Sequence, residues 1–201
     1  MYKLVITGII LLLLSTWGMI YAVRVSIAQL IYHHTKFGPN ADGYVTHEVN
    51  TRCEDAYKFY KHNYYFSILC AEKSWYEYSY STNNDVRAKE LLEIASKWCE
   101  IGLTQNKYRS QLRLLKARLL FLENPSQAID YWKQYVEWDF WYPYNHAVLA
   151  EMYIDNGEYE KALKTLELIR NFKESEPLFL KLATAWQHDV TTPPSSTHLS
   201  H

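Results

Sequence analysis

The chain has 201 residues and a formal net charge of −1, with 21 basic and 22 acidic side chains. Residues 1–42 hold Lys3, Arg24 and Lys36 against Asp42 alone, so the remainder is mildly acidic; with no basic block, nucleic acid is excluded as the expected partner. Six Gly and six Pro favour long helices over turn-rich β structure, and 18 Tyr and 7 Trp suggest either thick helix–helix interfaces or a surface built for contact.

The chain opens on "LVITGIILLLLSTWGMIYAV", residues 4–23, which carries no charge. As a helix rising ~1.5 Å per residue it spans a hydrocarbon core of about 30 Å. Lys3 and Arg24 bracket it, and Trp17 and Tyr21 stand near its far end, where amphipathic rings favour a membrane interface. The run is longer than the apolar core of a signal peptide, although Ser26-Ile27-Ala28 is a small-x-small triplet that keeps cleavage as the alternative. A short positive N-terminus before the run places the following body on the exported, periplasmic side. Gly8, Ser15 and Gly18 form only a partial small-residue face, which fits a lone anchor better than a span packed into a larger complex.

Residues 1–34 thus read as anchor and juxtamembrane segment, with His33 and His34 a wet pair just beyond the span. The breakers Gly38-Pro39-Asn40 and Asp42-Gly43 mark a linker over 35–46.

From 47 onward the apolar residues return at the helical period. The pattern predicts helices near 47–61, 64–80, 85–102, 107–122, 125–139, 144–155, 158–171 and 176–188, joined by short connections. Asp85 is the expected N-cap of the third, and Pro125 is placed to open the fifth. Residues 189–201, "DVTTPPSSTHLSH", lose the periodicity and read as a disordered tail. The expected fold class is all-α, with a repeat domain over 47–188.

The repeat emerges by superposition. Leu115 and Leu149, Leu119 and Tyr153, Ala128 and Ala162, and Trp132 and Leu166 all stand at one common interval, the spacing of a helix–turn–helix array. Residues 143–177 resemble a tetratricopeptide repeat (TPR): Leu149-Ala150, Tyr153, Gly157, Tyr159, Ala162, Leu166 and a trailing Pro177 match its sparse signature, with His146 where the usual early tryptophan stands. Residues 109–142 match less fully, with Lys116 for a small residue and Glu123-Asn124-Pro125 for the glycine turn. The interval from Ala88 to Ala128 is longer than that from Ala128 to Ala162, so extra residues are expected at "IGLTQN", 101–106. The resemblance implies a short TPR-like α-solenoid of helix hairpins ending in a capping helix at 176–186.

Catalytic signatures are missing: there is no GxSxG, HExxH, P-loop or GxGxxG. Cys53, Cys70 and Cys99 form no CxxC and read as small core residues, and no cofactor or metal is expected. A Cys53 thiol activated by His47 or His62 is the nearest thing to a nucleophile, and a core cysteine is the better reading. If 47–61 and 64–80 form a hairpin, Cys53 and Cys70 lie at similar heights on facing helices, close enough to bridge in an oxidising compartment. The chain therefore reads as a non-enzymatic, single-pass scaffold that binds protein partners or assembles a complex at a bacterial membrane. The alternative is a small structural subunit of a larger membrane complex.

The resemblance implies a partner groove lined by the first helix of each repeat. That assigns Tyr144, Ala147, Glu151, Ile154 and Asp155, and before them Ser110, Arg113, Ala117, Leu120 and Phe121. A second candidate is "EWDFWYPYNH", 137–146, because Trp138, Phe140, Trp141, Tyr142 and Tyr144 cannot all point inward.

Overall fold

A computed structural model of the chain describes residues 2–39, 41, 45–81 and 86–191. Among the described residues there are nine α-helices and no strand. They are α1 (Tyr2–Phe37), α2 (Thr46–Phe59), α3 (Tyr64–Ser79), α4 (Val86–Gln105), α5 (Ser110–Glu123), α6 (Pro125–Trp138), α7 (Pro143–Asp155), α8 (Tyr159–Leu168) and α9 (Glu176–Thr191). Two compact units, Met1–Lys116 and Ala117–His201, divide inside α5. The expected N-cap Asp85 and most of the expected tail, 192–201, lie outside the described residues; 189–191 belong to α9.

In the first unit, α1 is one helix of 36 residues with two kinds of surface. Residues 5–24 are exposed on every side, and the helix is long and apolar enough to cross a membrane. After Arg24 the pattern becomes one-sided. Ala28 is fully buried, Thr35 is buried, and Val25, Ile31 and Tyr32 are half-buried at helical spacing. The Tyr32 ring meets Phe66 edge-on at 5.5 Å and lies 6.2 Å from Tyr65. The expected linker is therefore shorter than 35–46. Residues 35–37 are the last turn of α1, and Thr46 already belongs to α2. The cause is that residues 25–35 have apolar partners on α2 and α3, which hold the helix straight into the body.

The α2–α3 hairpin turns at Tyr60–Asn63, where the Asn63 side chain accepts the Tyr65 N–H at 3.0 Å and caps α3. Trp98 of α4 is buried against α2, its Nε1 donating to Asn50 Oδ1 at 2.7 Å. The residues expected as an insertion at 101–106 are mostly helix: α4 runs 20 residues where α6 runs 14, which accounts for the excess over the repeat period. Gly102 sits where three helices converge. A Cβ there would stand 2.9 Å from Ser67 Cβ on α3 and 2.5 Å from Leu112 Cδ1 on α5.

All three cysteines are buried free thiols. Cys53 donates to Phe66 O at 3.6 Å, Cys70 to Val49 O at 3.5 Å and Cys99 to Leu112 O at 3.2 Å. The Cys53 partner is thus a carbonyl, while His47 and His62 are exposed. Burial, with the Cys53 side chain beside it, raises the Cys70 thiol well above its usual range, and burial pushes Cys99 up to about 12.

In the second unit, Asn124 caps α6 by accepting the Gln127 N–H at 3.1 Å, and Pro125 opens the helix where no N–H is needed. Ala128, Trp132, Tyr135 and Val136 form its buried face. The α7–α8 turn is a Schellman motif: Glu158 N–H donates to Tyr153 O at 2.8 Å, Gly157 N–H to Ile154 O at 3.0 Å, and Gly157 takes φ +74°. Ala162 and Leu166 of α8 are fully buried. The α9 helix packs on α7 and α8, burying Leu182 and stacking Trp186 on Tyr159 at 5.7 Å.

Two glycine substitutions separate conformational from steric requirements. At Gly157 a Cβ meets no atom within 4 Å, so Gly157→Ala is expected to lower stability by the left-handed penalty alone, about 1–2 kcal/mol. At Gly102 the gain in helix propensity of about 1 kcal/mol is opposed by overpacking of about 1–3 kcal/mol, and Ser67 Cβ cannot swing aside. Gly102→Ala is therefore expected to be net destabilising, and urea midpoints measure both. The thiols give a third expectation. At pH 8 native Cys99 should react with a thiol reagent about a thousandfold more slowly than in the unfolded chain, because its thiolate is suppressed as well as enclosed. The neutral thiol stabilises the fold fully below its ordinary value of 9.0, and that contribution is lost as pH rises towards about 12.

Candidate partner-binding surface

The end of α6, the connection to α7 and the first turn of α7 carry five large rings between positions 138 and 144 and expose all of them. Trp141 is 89% exposed, and Trp138, Phe140, Tyr142 and Tyr144 also face outward. A hydrophobic loop of this kind would ordinarily collapse onto the body. Here buried polar groups hold its backbone from beneath. The Asn145 Nδ2 donates to Asp139 O at 3.0 Å and to the Asp139 carboxylate at 3.1 Å. The His146 Nε2 lies 2.6 Å from Phe140 O, and since a carbonyl can only accept, this nitrogen carries the proton. Trp132 Nε1 donates to Asn145 O at 3.0 Å, tying the same point to the core of α6. Asn145 and His146 are 1% and 3% exposed.

His146 thus occupies the place of the repeat's usual tryptophan with a different job. It packs edge-on against Phe140 at 4.9 Å while fixing that residue's carbonyl. The rings outside are ordered by one another as well. Trp138 stacks on buried Tyr135 at 5.6 Å, and Phe140 and Trp141 meet edge-to-face at 5.4 Å. Rigid exposed aromatics lose little conformational freedom on docking, which is why Trp and Tyr dominate binding hot spots.

The residues expected to line a groove are placed unevenly. In the first unit, Ser110 is exposed and Arg113 is half-buried, its Nε donating to Lys107 O at 2.6 Å. In the second, Leu120 and Phe121 are half-buried and Tyr144 is exposed. Ala117, Ala147 and Ile154 are buried, so they fill the core and offer no surface. The physical reason is burial on more than one side: along α7 every residue from Asn145 to Ala150 is enclosed. Glu151 and Asp155 do reach the surface, but they are already engaged. Lys181 of α9 lies 3.2 Å from the Glu151 carboxylate and 2.7 Å from that of Asp155. Burial disfavours the Lys181 charge, yet the Asp155 and Glu151 carboxylates outweigh it and hold its pKa above the ordinary lysine value. Sequence patterning does not single out Lys181, because the partner of two acids one turn apart sits two helices further along the chain, in the capping helix.

Among the described residues no three His, Cys, Asp or Glu side chains converge as a metal site requires. The aromatic surface is therefore the most distinctive feature of the second unit, and its polar support is testable. Asn145→Ala removes two donors from beneath the loop. It is expected to lower stability by about 1–3 kcal/mol and to speed amide exchange over 139–142, with the α7–α8 turn unaffected, as read by exchange mass spectrometry.

No family model and no curated protein matches the sequence. A solved structure does: a thermophilic TPR protein of Thermus thermophilus aligns over 88% of this chain and 95% of that one, with a TM-score of 0.59 and 15% sequence identity. At that identity the likeness speaks to fold alone. The chain has a TPR-like, all-helical fold.

Proposed function

We propose that the chain is a single-pass, membrane-anchored TPR-like scaffold that binds a protein partner, in the assembly of a complex at a bacterial membrane, with its body on the exported side. It works by docking and not by catalysis. The observation that carries this reading is the set of five exposed rings at 138–144 on a backbone fixed by buried Asn145 and His146. A chain selected only for solubility gains nothing from such a surface. The TPR-like fold supports it, since folds of this kind generally serve protein–protein interaction.

The anchor reading rests on α1. Residues 5–23 are apolar or uncharged and wholly exposed, a surface that is unfavourable in water and favourable in lipid. Cleavage after Ala28 would remove a core residue together with half-buried Val25 and Ile27, so retention of the segment fits the packing better. Protease protection in intact spheroplasts, scored on the body, tests the exported orientation: digestion only after lysis of the inner membrane would place the body inside and refute it.

The docking reading is tested by Trp141→Ala. At 89% exposure the ring contributes little to folding, so stability should stay within about 0.5 kcal/mol of wild type. Partner retention in mild-detergent affinity purification, quantified by mass spectrometry, should fall at least about tenfold if Trp141 is an anchor. Equal recovery of partners with both proteins would count against this surface.

A further inference from the structure

We infer that the two hairpin turns flanking the exit of the apolar segment, α2–α3 and α4–α5, form a basic and aromatic collar that seats the first unit on an anionic membrane surface. This rests on the reading of α1 as a membrane span.

The contacts fix the level of the α2–α3 turn and tie the α4–α5 turn to it. Where the charge-free run ends, Arg24 donates from Nη2 to Lys58 O at 3.1 Å. One turn earlier, Tyr21 meets Tyr60 edge-on at 6.0 Å and stacks on Trp17 at 5.8 Å. The α2–α3 turn is therefore beside residues 21–24 of α1. The α4–α5 turn is held to it in its own right. Gln105 donates to Lys61 O, and the Arg109 guanidinium lies over the Tyr64 and Tyr65 rings at 5.8 and 5.9 Å.

The composition of the two turns is one-sided. Residues 56–71, bounded by Asp55 and Glu72, contain Lys58 and Lys61 and no acid; residues 101–116 of the first unit contain Lys107, Arg109, Arg113 and Lys116 and no acid. This occurs in a body that is net acidic elsewhere. Lys58 is paired with Asp55 at 2.9 Å and Lys116 with Glu100. Among the described residues no ion pair joins Arg24, Lys61, Lys107 or Arg109 to a carboxylate, whereas Lys97 and Lys161 each have one and Lys181 has two. Lys61 and Lys107 lie against Tyr57 and Tyr108, and Tyr108 is itself exposed. Cations on amphipathic rings at the mouth of an apolar helix match the headgroup layer, in which rings take the interface and ammonium groups meet phosphates. A protein partner at this level would have to displace lipid, which makes the membrane surface the occupant the geometry favours.

The test uses the full chain in lipid nanodiscs, either of phosphatidylcholine alone or with about 30 mol% phosphatidylglycerol. Amide exchange over 58–63 and 105–110 is expected to slow in the anionic discs by about fivefold per engaged cation, and the difference should vanish at about 0.5 M salt. The double variant Lys61→Glu, Lys107→Glu, both at exposed positions, should abolish the lipid dependence while leaving exchange in the α3 and α4 cores unchanged. Equal exchange in the two lipids, or a lipid dependence that survives charge reversal, would overturn the collar. Alkaline carbonate extraction of native membranes reads the span separately: a chain released by carbonate refutes the anchor and the collar with it, whereas a retained chain with lipid-independent turns refutes the collar alone.

Discussion

Water solvates an apolar helix badly, and hydrocarbon solvates an unpaired backbone group worse still. An unbroken helix with apolar side chains all round satisfies the second condition at the expense of the first. Residues 5–23 of α1 take this form, and the rest of the first unit is arranged around the point where it stops. At Arg24 the helix keeps its hydrogen-bond ladder but changes its surroundings. Ala28 and Thr35 become buried, Tyr32 packs on Phe66 of α3, and Arg24 itself closes on the carbonyl of Lys58. No hinge intervenes. The small side chain of Ala28 lets α1 lie close to its neighbours, and Phe66 fills the space beside Tyr32. Within the first unit, the α2–α3 hairpin is set against this part of α1.

Much of this architecture is legible in the sequence. The 3.6 period places α2 to α9 within a few residues of their observed bounds, because most of these helices bury one apolar stripe, α7 being enclosed more fully. The repeat spacing is legible for the same reason: Ala128 and Ala162, at equivalent positions, are both fully buried. Two features are hidden. The packing half of α1 carries a one-sided pattern at Val25, Ala28, Ile31 and Thr35, but so short a stripe directly after a charge-free run reads as the tail of that run. The breakers at Gly38-Pro39 then draw the eye to a linker that starts too early. The length of α4 is hidden as well, because an extra turn and a half of helix and an inserted loop give the same offset in a superposition.

The partner surface is legible in kind more than in detail. Five rings between positions 138 and 144 announce that some must face out, and all five do. What cannot be read locally is why they stay out. Asn145 and His146 look like ordinary polar residues of an amphipathic helix, yet both are enclosed and directed back at the loop that precedes them. The groove assignments meet the opposite difficulty. Positions transferred from a repeat consensus assume that the face of each first helix is open, and in α7 the run 145–150 is enclosed throughout. Glu151 and Asp155 remain outside but share Lys181, so their charge is largely spent within the second unit.

The continuity of α1 also turns length into phase. Each residue of a helix advances it by ~1.5 Å and rotates it by about 100°. The face that carries Ala28 and Tyr32 must stay packed on the first unit while the apolar segment before Tyr21 stays exposed, so the count between them sets a screw relation between the two halves of the helix. Adding one residue near Tyr21 would leave hydropathy almost unchanged. It would nevertheless rotate the whole apolar segment by about 100° about the helix axis relative to the first unit and displace it by ~1.5 Å. Any asymmetry on the apolar segment, such as the partial face of Gly8, Ser15 and Gly18, is thereby given a fixed bearing with respect to the first unit.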